Sequence, residues 1–182
     1  MRVIAGTKKR TPLITMNGIE TRPTTDRIKE TLFNMIADKI PSSRFLDLYA
    51  GSGQIGIEAL SRGAMFASFV ESNHNADEVI RQNLKKTMLT DSSELITKSV
   101  LSALNFFNPD SYDIIFMDPP YQLHEEEAVL EKISQLHILK DNGLILIEAD
   151  ISHEFNNLDT YGLCIQNEKK YKTNKHVFIT YK

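Results

Sequence analysis

The sequence predicts an α/β fold in which a mostly parallel sheet is covered by helices on both faces. Three observations carry that prediction. Short apolar runs at 45–49, 66–71, 94–98, 112–117 and 144–148 have the length and near-continuous hydrophobicity of strands buried on both sides. Stretches of helical periodicity near 55–62, 74–89, 99–107 and 123–138 fall between and after them, giving the alternation that builds parallel sheets. A glycine-rich turn and a diproline turn each follow one of the runs directly, at the sheet edge where open α/β folds place their ligands.

A chain of 182 residues suits one domain that buries roughly 70% of its unfolded surface. Hydrophobic residues at 41% and charged residues at 25% exclude wholesale disorder. The single cysteine, Cys164, excludes an internal disulfide and a multi-cysteine metal site, and is expected to be a small buried apolar residue. The histidines are scattered without HExxH or paired spacing, so no metal is expected. The first residues do not resemble a signal peptide, and no run approaches the ~20 apolar residues of a membrane span. A soluble, cytoplasmic protein with no membrane partner is expected.

The formal charge of −3 is unevenly spread. Residues 1–30 hold seven Lys/Arg against three Asp/Glu (+4), residues 168–182 hold five against one (+4), and the remainder holds nine against twenty (−11). Basic ends on an acidic body suit docking on a polyanion, although solvated faces give the same count.

Along the chain, alternation around Arg2-Val3-Ile4-Ala5 and Pro12-Leu13-Ile14-Thr15-Met16 reads as a small β-hairpin, with Gly6-Thr7-Lys8-Lys9-Arg10 as its basic loop. Asn17-Gly18 marks a second turn. A boundary is drawn after Arg22, so that 1–22 is an N-terminal basic extension and 23–182 one compact unit. Ile28, Leu32, Phe33 and Ile36 then recur at helical spacing, with Thr24 or Thr25 as N-cap, Asp26 in the first turn and Pro41 as the stop. The last residues, 162–167 and 176–181, read as two consecutive strands around a Lys-rich turn, a final hairpin on the parallel sheet.

Two motifs carry chemistry. In Gly51-Ser52-Gly53-Gln54-Ile55-Gly56, glycines permit a tight turn and let backbone N–H groups approach a ligand at a helix N-terminus. Glu71, twenty residues after Gly51 and at the end of the next run, can accept hydrogen bonds from both hydroxyls of a ribose. Loop and carboxylate point to an adenosine-containing cofactor, either a nicotinamide dinucleotide or S-adenosylmethionine. Asp118-Pro119-Pro120-Tyr121 chooses between them. An exocyclic amino group on a base is a poor nucleophile because its lone pair is delocalised into the ring. The Asp118 side chain and Pro119 carbonyl can each accept one N–H, leaving the lone pair free to point at a methyl donor, and Tyr121 can stack on the base. Hydride transfer has no use for such a clamp.

With Val3-Ile4-Ala5-Gly6, Arg22-Pro23-Thr24-Thr25-Asp26-Arg27-Ile28-Lys29-Glu30-Thr31-Leu32-Phe33, 47–53, Gly56-Ile57-Glu58-Ala59-Leu60-Ser61-Arg62-Gly63, Glu71 and 118–121, the sequence resembles the bacterial 16S ribosomal RNA (guanine-N2)-methyltransferase family, assigned to guanine 966. The 22–33 segment is the most specific to that family; the DPPY turn is shared with other amino-methyltransferases. The resemblance implies a Rossmann-like class I S-adenosylmethionine-dependent fold with seven strands, the last antiparallel, and an N-terminal hairpin extension. It implies that Asp47, Tyr49, Ala50, Gly51, Ser52 and Gly53 surround the methionine part of the cofactor, that Glu71, with Ser72 after it, holds the ribose, and that 118–121 hold the guanine. Arg22, Thr25 and Arg27 lie near the cofactor and RNA entrance in this reading.

Two departures from the pattern of that family matter. Ser99-Val100 stands where its members often carry an Asp or Asn against the adenine amino group. Tyr171 is followed by Lys172-Thr173-Asn174 where they commonly carry Tyr-Gly.

The implied partner is 16S rRNA, within the small ribosomal subunit or an assembly intermediate, met by a monomer through Lys8, Lys9, Arg10, Arg22, Arg27 and Lys172, with Lys169, Lys170 and Lys175 as further phosphate contacts. A DNA adenine-N6 or cytosine-N4 methyltransferase and a noncatalytic RNA-binding assembly factor are the competing readings.

Overall fold

The apolar runs become the strands of one twisted sheet in a computed structural model that describes residues 1–15, 26–120 and 122–182. The strands are β1 (Arg44–Leu48), β2 (Phe66–Glu71), β3 (Ser93–Thr97), β4 (Tyr112–Met117), β5 (Leu139–Asp150), β6 (Leu163–Lys170) and β7 (Asn174–Tyr181). The helices are α1 (Asp26–Met35), α2 (Gln54–Ser61), α3 (His74–Thr87), α4 (Val100–Ala103) and α5 (Glu126–Gln135). Within the described residues the strand order is β3-β2-β1-β4-β5-β7-β6. β1 through β5 pair in parallel, and β7 runs antiparallel to both β5 and β6. This is the expected seven-stranded, mostly parallel Rossmann-like sheet with an antiparallel last strand. The chain reverses direction from β1–β2–β3 to β4 at the sheet's centre, which opens a crevice at the carboxyl ends of β1 and β4.

Alternating residues of the strands build two cores. Phe45, Phe69, Ile114, Phe116, Leu144 and Leu146 face α1, α2 and α3 through Leu32, Phe33, Ile55, Ile57, Ile80 and Leu84. Leu46, Leu48, Val70, Ile115, Met117, Ile145 and Ile147 face α4 and α5 through Val100, Ala103, Val129, Leu130 and Ile133. The two sets interleave because successive strand side chains point to opposite faces. Among the described residues no helix is long and apolar enough to cross a membrane.

Several elements differ from their sequence reading. β5 begins five residues earlier than 144, because Leu139 pairs with Tyr112 before a register shift, so the polar stretch 140–143 continues the strand rather than looping. The helix expected over 99–107 is a single α-turn followed by a 3-10 turn at Leu104–Phe106. The one expected over 123–138 is shortened to Glu126–Gln135. Cys164 is only half-buried, because β6 is an edge strand with a single neighbour. The expected caps Thr24 and Thr25 and the Asn17-Gly18 turn lie outside the described residues.

The opening segment carries one bridge, Arg2 to Pro12, supported by Val3 N–H to Thr11 O (3.0 Å), Arg10 N–H to Val3 O (2.9 Å) and Leu13 N–H to Met1 O (3.1 Å). Its apolar side chains Val3 and Leu13 belong to the first core. Glu58 of α2, fully buried, accepts the N–H groups of Ile4 (2.8 Å) and Ala5 (3.0 Å) and pairs with Arg62 (2.8 Å) and buried Lys29 (3.6 Å). Lys29 in turn donates to Arg2 O at 2.8 Å. Burial pulls the Lys29 pKa down, against the attraction of Glu58. Gly6 sits at φ +79°, and a Cβ there would lie 1.7 Å from Ser61 O, so only glycine lets the loop lie this close on the end of α2.

Candidate active site

Between β1 and α2 the chain reverses through three left-handed residues, Tyr49 (φ 61°), Gly51 (φ 56°) and Gly53 (φ 75°). Two carboxylates hold the turn. Asp47, buried at the end of β1, accepts the Gly56 N–H at 2.8 Å. A Cβ on Gly56 would meet the Phe69 ring at 2.4 Å, so glycine is what allows α2 to settle onto β2. Glu71, at the end of β2, accepts the Gly51 N–H through Oε2 (2.8 Å) and the Asn73 N–H through Oε1 (2.8 Å). Burial pushes the Asp47 carboxyl well up; the Gly56 N–H opposes this, and the charges of Asp118 and Glu71 add to it.

The turn opens onto a cavity of about 510 Å³. Of the residues expected to hold a cofactor, Asp47, Tyr49, Ala50, Gly51, Ser52, Glu71, Ser72, Ser99 and Val100 line it, and Gly53 lies buried behind the turn. Asp118 and Pro120 line it too, while Pro119 is buried beside them. Tyr121 and Arg22 lie outside the described residues. Ser99 precedes α4 and spends its hydroxyl on Ser102 Oγ at 2.8 Å. Burial raises the Asp118 pKa well above the ordinary aspartate range, and the negative charge of Glu148 raises it further.

Other residues of the cavity wall carry weak sequence signals. Gln54, Lys98, Leu123, Glu125, Met1 and Thr15 all contribute to it. Glu125 accepts the Tyr49 hydroxyl at 2.6 Å and so straps the segment before α5 across the β1 turn. Asn83 is fully buried in α3: its amide donates to Ser52 O (2.9 Å) and Ile14 O (3.0 Å) and its oxygen accepts the Ile14 N–H (2.8 Å). A signal for Asn83 does exist, since it is a polar residue on the buried stripe Ala76, Ile80, Leu84, Thr87.

The basic residues are scattered around this centre. Lys9, Arg10, Arg27 and Lys172 are exposed and Lys8 is half-buried. Arg2, Lys9 and Arg10 share a small surface hollow with Glu30. Lys175 departs from its expected role as a phosphate contact: it is buried, its ammonium bonds to Glu168 at 3.0 Å, and it lies over the Phe155 ring. The turn after Tyr171 closes through Tyr171 N–H to Asn174 O at 2.9 Å without glycine.

The family model described as "Conserved hypothetical protein 95" matches residues 1–181. A Bacillus subtilis (strain 168) protein provisionally named rRNA methyltransferase YlbH is 40% identical over 152 residues, covering 82% of this chain and 83% of its own. Ribosomal RNA small subunit methyltransferase D of Haemophilus influenzae is 36% identical over 156 residues, covering 82% and 79%. A solved Escherichia coli structure, provisionally named methyltransferase yhhF, superposes with a TM-score of 0.88 at 26% identity over 100% of this chain and 97% of that one.

Proposed function

This chain belongs to the Conserved hypothetical protein 95 family, and from that premise we propose that it is an S-adenosylmethionine-dependent methyltransferase of small-subunit ribosomal RNA, acting on the exocyclic N2 of a guanine. Relatives named small-subunit ribosomal RNA methyltransferases, at 31–36% identity, and one named for ribosomal RNA at 40% support the substrate. The observation that carries the chemistry is the Asp118-Pro119-Pro120 turn at the carboxyl end of β4, opening on the same cavity as the β1 turn.

The residues around the cavity suit the cofactor. A volume of about 510 Å³ falls within the range of small-molecule sites, roughly 300–1,000 Å³. Among the described residues four side-chain carboxyl groups, Asp47, Glu71, Asp118 and Glu125, line it beside one side-chain ammonium, Lys98, so acceptor oxygens outnumber side-chain cations around a ligand. Gln54 Oε1 is buried with no hydrogen-bond partner among the described residues, and offers an acceptor to an amino-acid ammonium. Gly53 brings no capping side chain to α2 and Asp47 takes the Gly56 N–H, so of that first turn the Gln54 and Ile55 N–H groups suit a carboxylate. Each Glu71 oxygen keeps a lone pair for a ribose hydroxyl after taking one backbone N–H.

Bound there, S-adenosylmethionine supplies an electrophilic methyl group on a sulfonium. The protein's contribution is to position the base. Asp118 Oδ and the Pro119 carbonyl accept the two N–H bonds of the amino group and turn its lone pair towards the methyl carbon. As the N–C bond forms and the C–S bond breaks, the nitrogen sheds one proton, and Asp118 is in contact to take it. Tyr121 is assigned to stack on the base. The protein is assigned to the cytoplasm, acts as a monomer and needs no metal in this reading.

Incubation of the purified chain with labelled S-adenosylmethionine and undermethylated small-subunit RNA or particles, followed by mapping of the modified nucleotide, tests the proposal. Label on one guanine N2 is the expected result. Label on duplex DNA instead, or none on any RNA, overturns it.

A further inference from the structure

Asp118 has a neighbour that the mechanism above leaves unused. Met117 of β4 lies opposite Ile147 of β5, so Asp118 and Glu148 stand one step beyond, on strands about 4.8 Å apart. Both project from the sheet face that carries Phe116 and Leu146, because side chains alternate. Burial first, and then the charge of Glu148, raises the Asp118 pKa, as expected of two carboxyl groups sharing one low-dielectric corner.

Glu148 is also oriented from behind. Its Oε1 accepts the Asn174 side-chain N–H at 2.6 Å, and its Oε2 lies 3.3 Å from His176 Nε2. The far side of the same imidazole is held too, with Nδ1 3.3 Å from the Tyr171 hydroxyl. All three orienting residues come from the last hairpin and its turn, and Asn174 and His176 are buried. The Glu148 side chain keeps 11% of its surface exposed and each oxygen retains acceptor capacity. A paired arrangement of carboxylates is relieved by a ligand that brings a donor to each.

Among the amino-bearing bases, guanine alone places a ring N–H beside its amino group; adenine and cytosine place a bare ring nitrogen there. An extruded base is read on that edge. We propose that Glu148 accepts the N1–H of the target guanine while Asp118 holds its N2 amino group, so that the carboxylate pair selects guanine over the other amino-bearing bases. This rests on the guanine reading above and adds to it the residue that enforces the choice. Asn174, His176 and Tyr171 are positioning residues for Glu148.

The test uses an RNA whose methylated nucleotide has been mapped, made with guanine or with 2-aminopurine at that nucleotide. 2-Aminopurine keeps the amino group at C2 but presents a bare N1. The wild-type protein is expected to favour guanine by about 10- to 100-fold in kcat/KM, since a bare nitrogen facing a carboxylate leaves two acceptors opposed. In Glu148→Gln, whose amide can either accept or donate, the ratio should shrink to within a few-fold. Equal wild-type rates on the two bases overturn the proposal, and so does a variant that slows both while keeping the ratio, since that marks a purely structural role. The wild-type comparison stands even where the variant fails to fold. Wild-type protein that methylates neither RNA overturns the parent reading, and this one with it.

Discussion

To take the proton that the methylated nitrogen sheds, Asp118 must be ionised, yet burial and then Glu148 both favour its protonated form. For a carboxyl with a raised pKa the ionised fraction grows as pH rises through that raised value. The acid limb of kcat/KM should therefore lie at higher pH than an ordinary aspartate gives, with activity lost below it. Glu148→Gln removes the like charge and should move the limb to lower pH; pH–rate profiles of both proteins read the shift. Asp118→Ala should lower methyl transfer by about 10²–10³-fold while calorimetry finds S-adenosylmethionine affinity kept within a few-fold. Asp118 and Glu71 are legible in the sequence because each ends a recognisable apolar run beside a turn. Glu148 also ends a run, but its meaning depends on which strand lies beside it and on a hairpin more than twenty residues later. Periodicity carries neither fact.

The opening segment behaves as part of the first core rather than as an appendage, because Glu58 collects two of its N–H groups and two cations in a buried place. Glu58→Ala leaves Lys29 charged and buried with its partner gone, and should cost about 3–5 kcal/mol in urea unfolding. Gly6→Ala should destabilise by a mechanism of its own, since its Cβ would run into Ser61 O. Elements with a clean period, such as α3 and β4, are readable to within two residues. α4 is not, because a run of mixed apolar residues with no cap satisfies one turn and then slips into 3-10 geometry. Lys29 and Glu58 escaped notice because a charge in a helix reads as solvated until its partner, here twenty-nine residues away, is brought opposite it.

Over the whole molecule, the parallel core is legible from the β-α rhythm, and the insertion of β7 between β5 and β6 is not, since adjacency in the sheet there reverses adjacency in the chain. The charge distribution is legible as a count and only partly as a surface: Lys9, Arg10 and Lys172 are exposed, whereas Lys175 is spent inside the fold. Replacing those three exposed residues by alanine should weaken RNA binding at every sequence tested. It should also flatten the plot of log affinity against log salt by about 0.7–0.9 for each phosphate that is no longer neutralised. Titrations across a salt series check both.

Asn83 grips Ile14, a few residues beyond the basic loop, and Ser52, inside the turn at the cavity, with one side-chain amide. Under the proposed function, that amide ties the segment beside the basic loop to the turn that would meet the cofactor. If bound RNA steadies the segment around Ile14 and tightens S-adenosylmethionine by some factor, the cofactor must tighten RNA by the same factor, and Asn83→Ala should bring both factors towards one together. A single buried amide would then set the order in which the two substrates are captured: whichever arrives first lowers the entropy that the second has to surrender.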